Sequence, residues 1–196
     1  LAQVSRIADY AAGVGVGSMR LLNRADAVRV SNGIDVDEFK RKTSYANRTG
    51  KPFVFFAPNR ITEEKNTEVL LRAALRLVQQ GQRDFKVILQ GDADDDYARG
   101  VFAFIQAHGL GQFFEYRKPI GPSAMMAAYE EVDTVVMTSR VEGLPYVALE
   151  AQSMEIPFVG SRIEGIASAI SEDKSGFLFD IDNDEDLARK LDALMS

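Results

Sequence analysis

The chain has 196 residues, 46% of them hydrophobic and 27% charged, a balance typical of a globular protein that can fill a sizeable core. Its formal net charge of −6 argues against a nucleic-acid-binding surface, and the absence of cysteine excludes disulfides and Cys-ligated zinc and favours a reducing compartment. Because His108 is the only histidine, a two-histidine metal site is excluded and any catalytic histidine relay would have to use it.

The first segment, residues 1–26, is rich in glycine around "AAGVGVGSMR" and has no clear structural period. It lacks the basic leader and continuous apolar core of a signal peptide, and it has no initiator methionine. No apolar run in the sequence reaches the ~18 residues of a membrane span. We therefore expect a piece of a longer protein. Residues 1–26 would be a connecting segment or the tail of a missing N-terminal domain, and residues 27–196 would form one domain.

From there on, short apolar runs alternate with amphipathic helical patterns. Several runs are apolar at successive positions, as in "FVFFA", which is typical of strands buried on both faces of a parallel sheet. In chain order, the predicted strands are Val28–Ser31, Phe53–Ala57, Phe85–Gln90, Phe113–Arg117, Thr134–Thr138, Phe158–Gly160 and Gly176–Phe179. The predicted helices lie near residues 64–80, 96–108, 123–131, 146–154, 164–171 and 183–195. This alternation predicts an α/β fold with a doubly wound, mostly parallel, Rossmann-like sheet.

Sheets of this kind bind ligands at the carboxyl ends of their strands, so the loop "APNRITEEKN" after the second predicted strand is a candidate site. Arg60 can bind two oxygens in a fork and Lys65 adds a compact charge, which together suit a diphosphate. Lys65 is predicted at a helix start, where a cation costs stability unless it has an anionic partner. The alternative is a solvated Arg and Lys beside Glu63 and Glu64.

A second candidate loop lies in "SRVEGLPYVALEA", residues 139–151. Pro145 suits the first position of a helix, and the free amides that follow it would point outward as an anion site. At a helical rise of ~1.5 Å per residue, the backbones of Glu142 and Glu150 would lie up to ~12 Å apart. That exceeds the ~5–9.5 Å between paired glycosidase carboxylates. The spacing favours two acceptors for ligand hydroxyls over an acid/base couple, the alternative being two ordinary surface glutamates.

Two further loops have simpler interpretations. "QGDADDDYA", residues 90–98, is rich in aspartate but lacks the glycine and distal glutamate of a calcium loop. Gly91 followed by a turn and an Asp-capped helix explains the stretch, so we predict no metal site. "VSNGID", residues 30–35, is interpreted as a tight Asn-Gly turn in which Asp35 caps the residues that follow.

With these loops in order, the chain resembles the C-terminal half of a GT-B-type retaining glycosyltransferase of group 1, the family-four class. The resemblance runs from about Val28 to Leu194. The strand and N-G-[IV]-D…F pattern of that family is matched by "NGID" at residues 32–35 and by Phe39. Its G-R…K phosphate loop is matched by Arg60 and Lys65, with Asn59 where Gly is usual, and its E-x₇-E block is matched within residues 133–151. The order and spacing of these motifs carry the resemblance.

The resemblance implies roles for individual residues. Arg60 and Lys65 would bind the donor diphosphate, and Gly91 would belong to the nucleotide-binding loop "VILQGDA". Glu150 would accept hydrogen bonds from the ribose hydroxyls of the donor.

The same resemblance places three consecutive residues at the donor sugar. Glu142 and the amides of Gly143 and Leu144 would face the sugar and its phosphate. The two glutamates would then hold the two ends of a nucleotide sugar, with its diphosphate between them. Glu142, Arg60 and Lys65 would be the catalytic residues.

The function implied by the resemblance is sugar transfer with retention from a UDP-, GDP- or ADP-linked donor to a hydroxyl of a glycan, lipid or small molecule. Neither a metal nor another cofactor is expected. The missing N-terminal domain would complete the cleft, so this fragment alone would be inactive. The expected role is polysaccharide or glycoconjugate biosynthesis in the cytoplasm, with any peripheral contact at the inner face of a membrane made by the missing half.

The sequence also departs from the family pattern. Ser168 stands where an acid is usual, and residues 153–157, "SMEIP", replace a common A-x-G-x-P. Two alternatives stay open. One is a non-catalytic nucleotide-binding or scaffold module of the same fold. The other is a sugar-nucleotide epimerase, which the single His108 at a predicted helix end disfavours.

Overall fold

The structure, a computed structural model, describes residues 12–13, 28–29, 31–43, 50–93 and 96–196. Its strands are β1 (Ala12–Gly13), β2 (Val28–Arg29), β3 (Phe53–Pro58), β4 (Phe85–Gln90), β5 (Phe114–Arg117), β6 (Thr134–Met137), β7 (Phe158–Ser161) and β8 (Gly176–Phe179). Its helices are α1 (Thr67–Gln79), α2 (Asp96–Ala107), α3 (Pro122–Glu130), α4 (Tyr146–Ser153), α5 (Glu164–Ala167) and α6 (Asp184–Met195).

Strands β3 to β8 form one sheet in the order β5-β4-β3-β6-β7-β8, and every neighbouring pair in it is parallel. The order reverses between β3 and β6, so the connections from these two strands leave toward opposite sides. In doubly wound sheets a crevice opens at this point, outside the carboxyl ends of the strands. The loops after β3 and β6 therefore flank the place where such a fold binds ligands.

Successive side chains of the central strand β3 pack into two separate cores, one on each face of the sheet. Phe55 is fully buried on the face covered by α1, α2 and α6, whereas Phe56 is fully buried on the face covered by α3, α4 and α5. Phe56 packs edge-on against Tyr129 of α3, with ring centroids 5.7 Å apart. Because a strand has a two-residue period, burial on both faces explains why this segment is apolar throughout.

The strand predicted at Val28–Ser31 is only partly confirmed. The structure has a strand at Val28–Arg29, but it lies outside the six-stranded sheet and pairs in parallel with Ala12–Gly13. An apolar run predicts a strand but does not indicate which strand it pairs with, because strand pairing depends on residues far away in the sequence. The division of the chain at residue 26 stays a prediction.

Two predicted helices are shorter than expected. The helix predicted over 164–171 ends at Ala167, where the hydroxyl of Ser168 donates to the carbonyl of Gly165 at 3.0 Å and competes with a further turn. The helix predicted over 64–80 does not begin until residue 67.

The delayed start of α1 has a backbone cause. Glu63–Lys65 form a separate 3₁₀ turn, and Asn66 follows in the left-handed conformation with φ of 52°. Asparagine tolerates that conformation better than most residues, and it breaks a continuous helix. Lys65 therefore lies before α1 and not within its first turn, which corrects the prediction.

Candidate functional site

The candidate site lies at the carboxyl edge of the sheet, where the loop after β3 meets the loop after β6. The amide of Arg140 donates to the carbonyl of Glu64 at 2.9 Å. The hydroxyl of Thr138, a buried residue, donates to the carbonyl of Lys65 at 2.8 Å. These bonds join two loops that are far apart in sequence and fix their separation.

Lys65 and Glu142, both predicted site residues, form an ion pair in this junction. Lys65 Nζ lies 2.6 Å from Glu142 Oε1, and the two side chains are only 14% and 13% exposed. Ser139 Oγ donates to the same oxygen at 2.7 Å. Little water reaches the pair, so its electrostatic attraction is screened less than that of a surface pair. The anionic partner that the sequence required for Lys65 is Glu142.

The turn that leads from Glu142 into α4 presents backbone amides without acceptors. Among the residues that the structure describes, no acceptor is found for the non-proline amides of this turn, those of Gly143, Leu144, Tyr146 and Val147. Pro145 caps α4 without an amide of its own, and the first turn carries no acidic side chain. Free amides at a helix N-terminus are the arrangement that binds an anion.

Gly165 of α5 lets this turn pack closely against the next helix. A Cβ at position 165 would lie 2.1 Å from the carbonyl oxygen of Glu142 and 2.5 Å from that of Gly143. Both carbonyls thus face α5. In a trans peptide the N–H points opposite to the carbonyl of the preceding residue, so the amides of Gly143 and Leu144 point away from α5.

Arg60 lies in an open cleft of about 640 Å³ lined by Arg60, Thr62, Glu63, Glu64, Arg140 and Val141. Arg60 is an exposed residue. Within the described part of the chain it makes no ion pair with an acid. Arg60 therefore shares its cleft with residues of the loop that carries Glu142, although among the described residues no hydrogen bond or ion pair joins it to Lys65 or Glu142.

Gly91, the predicted nucleotide-loop glycine, packs against the backbone next to Arg60. Its φ is +154°, and a Cβ there would lie 2.4 Å from the carbonyl oxygen of Asn59 and 3.0 Å from the amide nitrogen of Arg60. The amide of Ile61 donates to the carbonyl of Asp92 at 2.8 Å. A side chain at position 91 would push the two loops apart, so glycine allows the loop after β4 to pack against the loop after β3.

A cation that the sequence analysis did not single out, Arg140, ties the same cleft to the loop after β8. Its Nη2 and Nε lie 2.9 and 3.1 Å from Asp182 Oδ1, and its Nη1 donates to the carbonyl of Glu63 at 2.9 Å. The hydrogen bond with Asp182 raises the pKa of Arg140. Asn66 Nδ2 donates to the same carboxylate oxygen at 2.8 Å. Three loops thus converge on Asp182.

Glu150, the second glutamate of the E-x₇-E block, is held separately from Glu142. Its Oε2 accepts a hydrogen bond from the hydroxyl of Tyr129 at 2.7 Å. Tyr129 is fully buried. Burial is the main cause that raises the pKa of its phenol, and the neighbouring carboxylate of Glu150 raises it further, so the hydroxyl stays protonated and acts as the donor. Among the described residues no hydrogen bond reaches Oε1 of Glu150. Sequence reasoning missed Tyr129, whose only signal is that a buried tyrosine hydroxyl needs a partner.

The aspartate-rich stretch after β4 is described only in part, because Asp94 and Asp95 lie outside the described residues. In the part of the chain that the structure covers, no group of three acidic or histidine side chains is arranged to hold a metal ion. No helix in that part is both long and apolar enough to cross a membrane.

The chain belongs to the family described as "Glycosyl transferases group 1", which matches residues 37–196. The six-stranded parallel sheet is the Rossmann-like half of a GT-B architecture that the sequence predicted. The family and the fold are therefore confirmed.

Two curated relatives are both D-inositol 3-phosphate glycosyltransferases. That of Corynebacterium urealyticum is 29% identical over 186 residues, covering 89% of this chain and 44% of the relative. That of Saccharomonospora viridis is 31% identical over 186 residues, covering 88% and 43%. The chain thus spans less than half the length of these relatives.

Solved structures show the same fold. Anabaena Alr3699/HepE, in complex with UDP and glucose, superposes with a TM-score of 0.85 at 21% identity, over 98% of this chain and 55% of that chain. The C-terminal domain of the group 1 protein LpcC from Francisella tularensis gives a TM-score of 0.71 at 20% identity, over 83% of this chain and 88% of that chain.

Proposed function

We propose that this chain is the donor-binding half of a retaining glycosyltransferase, which moves a sugar from a nucleotide diphosphate sugar to an acceptor hydroxyl. The observation that carries the proposal is the convergence at one turn of the Lys65–Glu142 pair and the free amides of the non-proline residues in 143–147. Arg60 and Arg140 line the adjoining cleft beside Glu63 and Glu64, and Arg60 forms no ion pair with an acid among the described residues. Such a set of donors suits a pyrophosphate.

In the proposed reaction the critical event is departure of the nucleoside diphosphate from the anomeric carbon. Negative charge grows on the diphosphate as that bond breaks. Arg60, Lys65 and the amides of Gly143 and Leu144 would stabilise it in a site arranged beforehand. In this proposal those groups supply the positive charge that a metal ion supplies elsewhere.

Glu142 would have two tasks in this arrangement. Its Oε1 holds Lys65, an ammonium with three donors that can serve the carboxylate and a phosphate at once. Its Oε2, which accepts no hydrogen bond from the described residues, would face the donor sugar. Glu150, with Oε2 occupied by Tyr129, would offer Oε1 to the ribose.

The comparisons support part of the substrate assignment. The Anabaena protein was solved with UDP and with UDP-glucose, which supports a nucleotide sugar and favours UDP over GDP or ADP. The relatives are named for transfer involving D-inositol 3-phosphate, which supports a small-molecule acceptor over a glycan or lipid. We propose that the complete protein acts in glycoconjugate or polysaccharide synthesis in the cytoplasm, with any contact at the inner membrane face made by another domain.

Calorimetry with UDP, GDP and ADP tests the site in this chain. We expect weak binding of at least one nucleotide, and a tenfold to hundredfold loss of affinity in Arg60→Ala, since a charge-assisted hydrogen bond is worth about 1.5–3 kcal/mol. Arg83→Ala is the matched control, because Arg83 is exposed and, among the described residues, its hydrogen bonds go to the backbone carbonyls of Val78 and Gln82. Absence of binding at millimolar concentration of all three nucleotides would contradict the proposal.

The non-catalytic alternative rests on Ser168, whose hydroxyl donates to the carbonyl of Gly165 and supplies no acid at that position. A turnover assay on the full-length protein distinguishes the transferase from the non-catalytic alternative. Loss of sugar transfer in Glu142→Ala, with retention in the wild-type product, supports the transferase. An inactive wild type that still binds nucleotide supports the scaffold. Solvent-isotope exchange into a nucleotide sugar would instead identify an epimerase.

A further inference from the structure

Asn32 belongs to the "NGID" turn, yet its side chain reaches the turn of residues 142–147 that leads into α4, which we call the donor turn. Its Nδ2 donates to the carbonyl oxygen of Leu144 at 2.6 Å, a contact between residues 112 positions apart. The Asn32 side chain is half-buried, so the bond is partly shielded from water. The Asn-Gly turn predicted for residues 30–35 depends only on local sequence. It therefore does not explain this long-range hydrogen bond.

The Asn32 hydrogen bond restrains the one peptide unit of the turn that has no N–H group. The carbonyls of Glu142 and Gly143 are held against Gly165. The next peptide, between Leu144 and Pro145, has no N–H, so only its carbonyl can be held by a hydrogen bond. Asn32 therefore restrains the backbone rotation of Leu144, which sets the direction in which α4 and its first amides begin.

The segment that carries Asn32 is itself fastened to the rest of the fold. Asp35 Oδ1 accepts from the amides of Asp37 and Glu38 at 2.9 and 3.2 Å, as the predicted cap requires. Ser153 Oγ, at the end of α4, donates to the carbonyl of Phe39 at 2.6 Å. Residues 31–43 thus bind both ends of α4, at Leu144 and at Ser153, and form a strap across it.

We propose that Asn32 is a positioning residue for the diphosphate of the donor. It touches no ligand in this proposal. It holds the Leu144 carbonyl so that the free amides of Gly143, Leu144, Tyr146 and Val147 point to one place. The inference rests on the proposed function, because it assigns the pyrophosphate of a nucleotide to this turn.

The test compares UDP with uridine, which lacks the phosphates. In Asn32→Ala we expect the dissociation constant of UDP, measured by calorimetry, to rise about three- to tenfold, the effect of one lost hydrogen bond. The dissociation constant of uridine, measured by NMR titration, should not change. Val36→Ala is the matched control, since Val36 lies in the same segment with 64% of its surface exposed.

A second variant keeps the proposal testable if Asn32→Ala does not fold. Asn32→Asp has the same shape but cannot donate to the Leu144 carbonyl, so UDP binding should weaken at least as much. Unchanged UDP affinity in a folded variant, or an equal loss for UDP and uridine, overturns the positioning role. A wild type that binds no nucleotide overturns the proposed function and this inference together.

Discussion

At the scale of single residues, the donor turn depends on a position where any side chain is excluded. Gly165 has no positive φ, so its glycine is not required by backbone conformation. Glycine is required at this position for steric reasons, because the carbonyls of Glu142 and Gly143 occupy the volume that a Cβ would fill. The sequence offered only a weak signal for this role, since Gly165 is one glycine among 15.

We predict that Gly165→Ala moves the donor turn and weakens UDP binding at least tenfold. Overpacking against a backbone costs about 1–3 kcal/mol of unfolding free energy. Gly100→Ala is the control: Gly100 lies within α2, a Cβ there meets nothing within 4 Å, and alanine should stabilise the helix by about 0.5–1 kcal/mol. Calorimetry and urea denaturation measure both effects. Wild-type UDP affinity in Gly165→Ala would contradict the packing role.

At the scale of elements, the strap of residues 31–43 is closed at its far end by Glu130 of α3. The carboxylate accepts from the amides of Lys42 and Thr43 at 2.6 and 3.1 Å, and also from the Thr43 hydroxyl. Burial alone would raise the pKa of Glu130, but the hydrogen bonds from Thr43 and Lys42 outweigh it and lower the pKa below its usual 4.5. The charged carboxylate therefore stabilises the closed strap.

We predict that the strap loosens in acid. A lowered carboxylate pKa gives stability that is present above pH 4.5 and is lost as the pH falls through the folded-state pKa. The protection factors of the Lys42 and Thr43 amides, measured by NMR hydrogen exchange, should fall in that window. Glu130→Gln should abolish the pH dependence, whereas Glu38→Gln in the same strap should keep it. Protection that is constant between pH 7 and 3 would argue against this role.

At the scale of the whole molecule, the loops after β3, β6 and β8 are joined through one carboxylate. Asp182 accepts hydrogen bonds from Arg140 and Asn66, and both Asp182 and Asn66 have left-handed backbones, with φ of 60° and 52°. β3, β6 and β8 lie at three different places in the sheet order. The network therefore sets the shape of the carboxyl edge from outside any single loop.

Asp182→Ala should lower the free energy of unfolding by about 1–2 kcal/mol. The lost hydrogen bonds are discounted because half of the Asp182 side chain is exposed, and alanine also disfavours the left-handed backbone. Asp182→Asn, which keeps an acceptor oxygen and tolerates that conformation, should lose less than half as much. Urea denaturation distinguishes them. Equal stabilities for Asp182→Ala and the wild type would rule out a structural role for the network.

The sequence by itself determined the element types and the family. The strand Phe53–Pro58 is apolar because both its faces are buried, and α1 carries its apolar residues at helical spacing, so periodicity reports them directly. The motif order placed Arg60 and Glu142 in loops at the carboxyl ends of strands, and it placed Lys65 at the start of the following helix, just after such a loop. These are local properties, because each depends on residues within one element and its adjoining loop.

Only the tertiary structure decided which of these residues meet. Lys65 pairs with Glu142 across 77 positions, and Asn32 reaches Leu144 across 112. Tyr129 and Asp182 acquire their partners in the same way, and the strand at Val28–Arg29 pairs outside the main sheet. Such contacts depend on strand order and on the approach of loops, for which neither periodicity nor composition carries a signal. The physical reason is that helices and strands form from local sequence, whereas the candidate site is formed by contacts that exist only after the sheet has assembled.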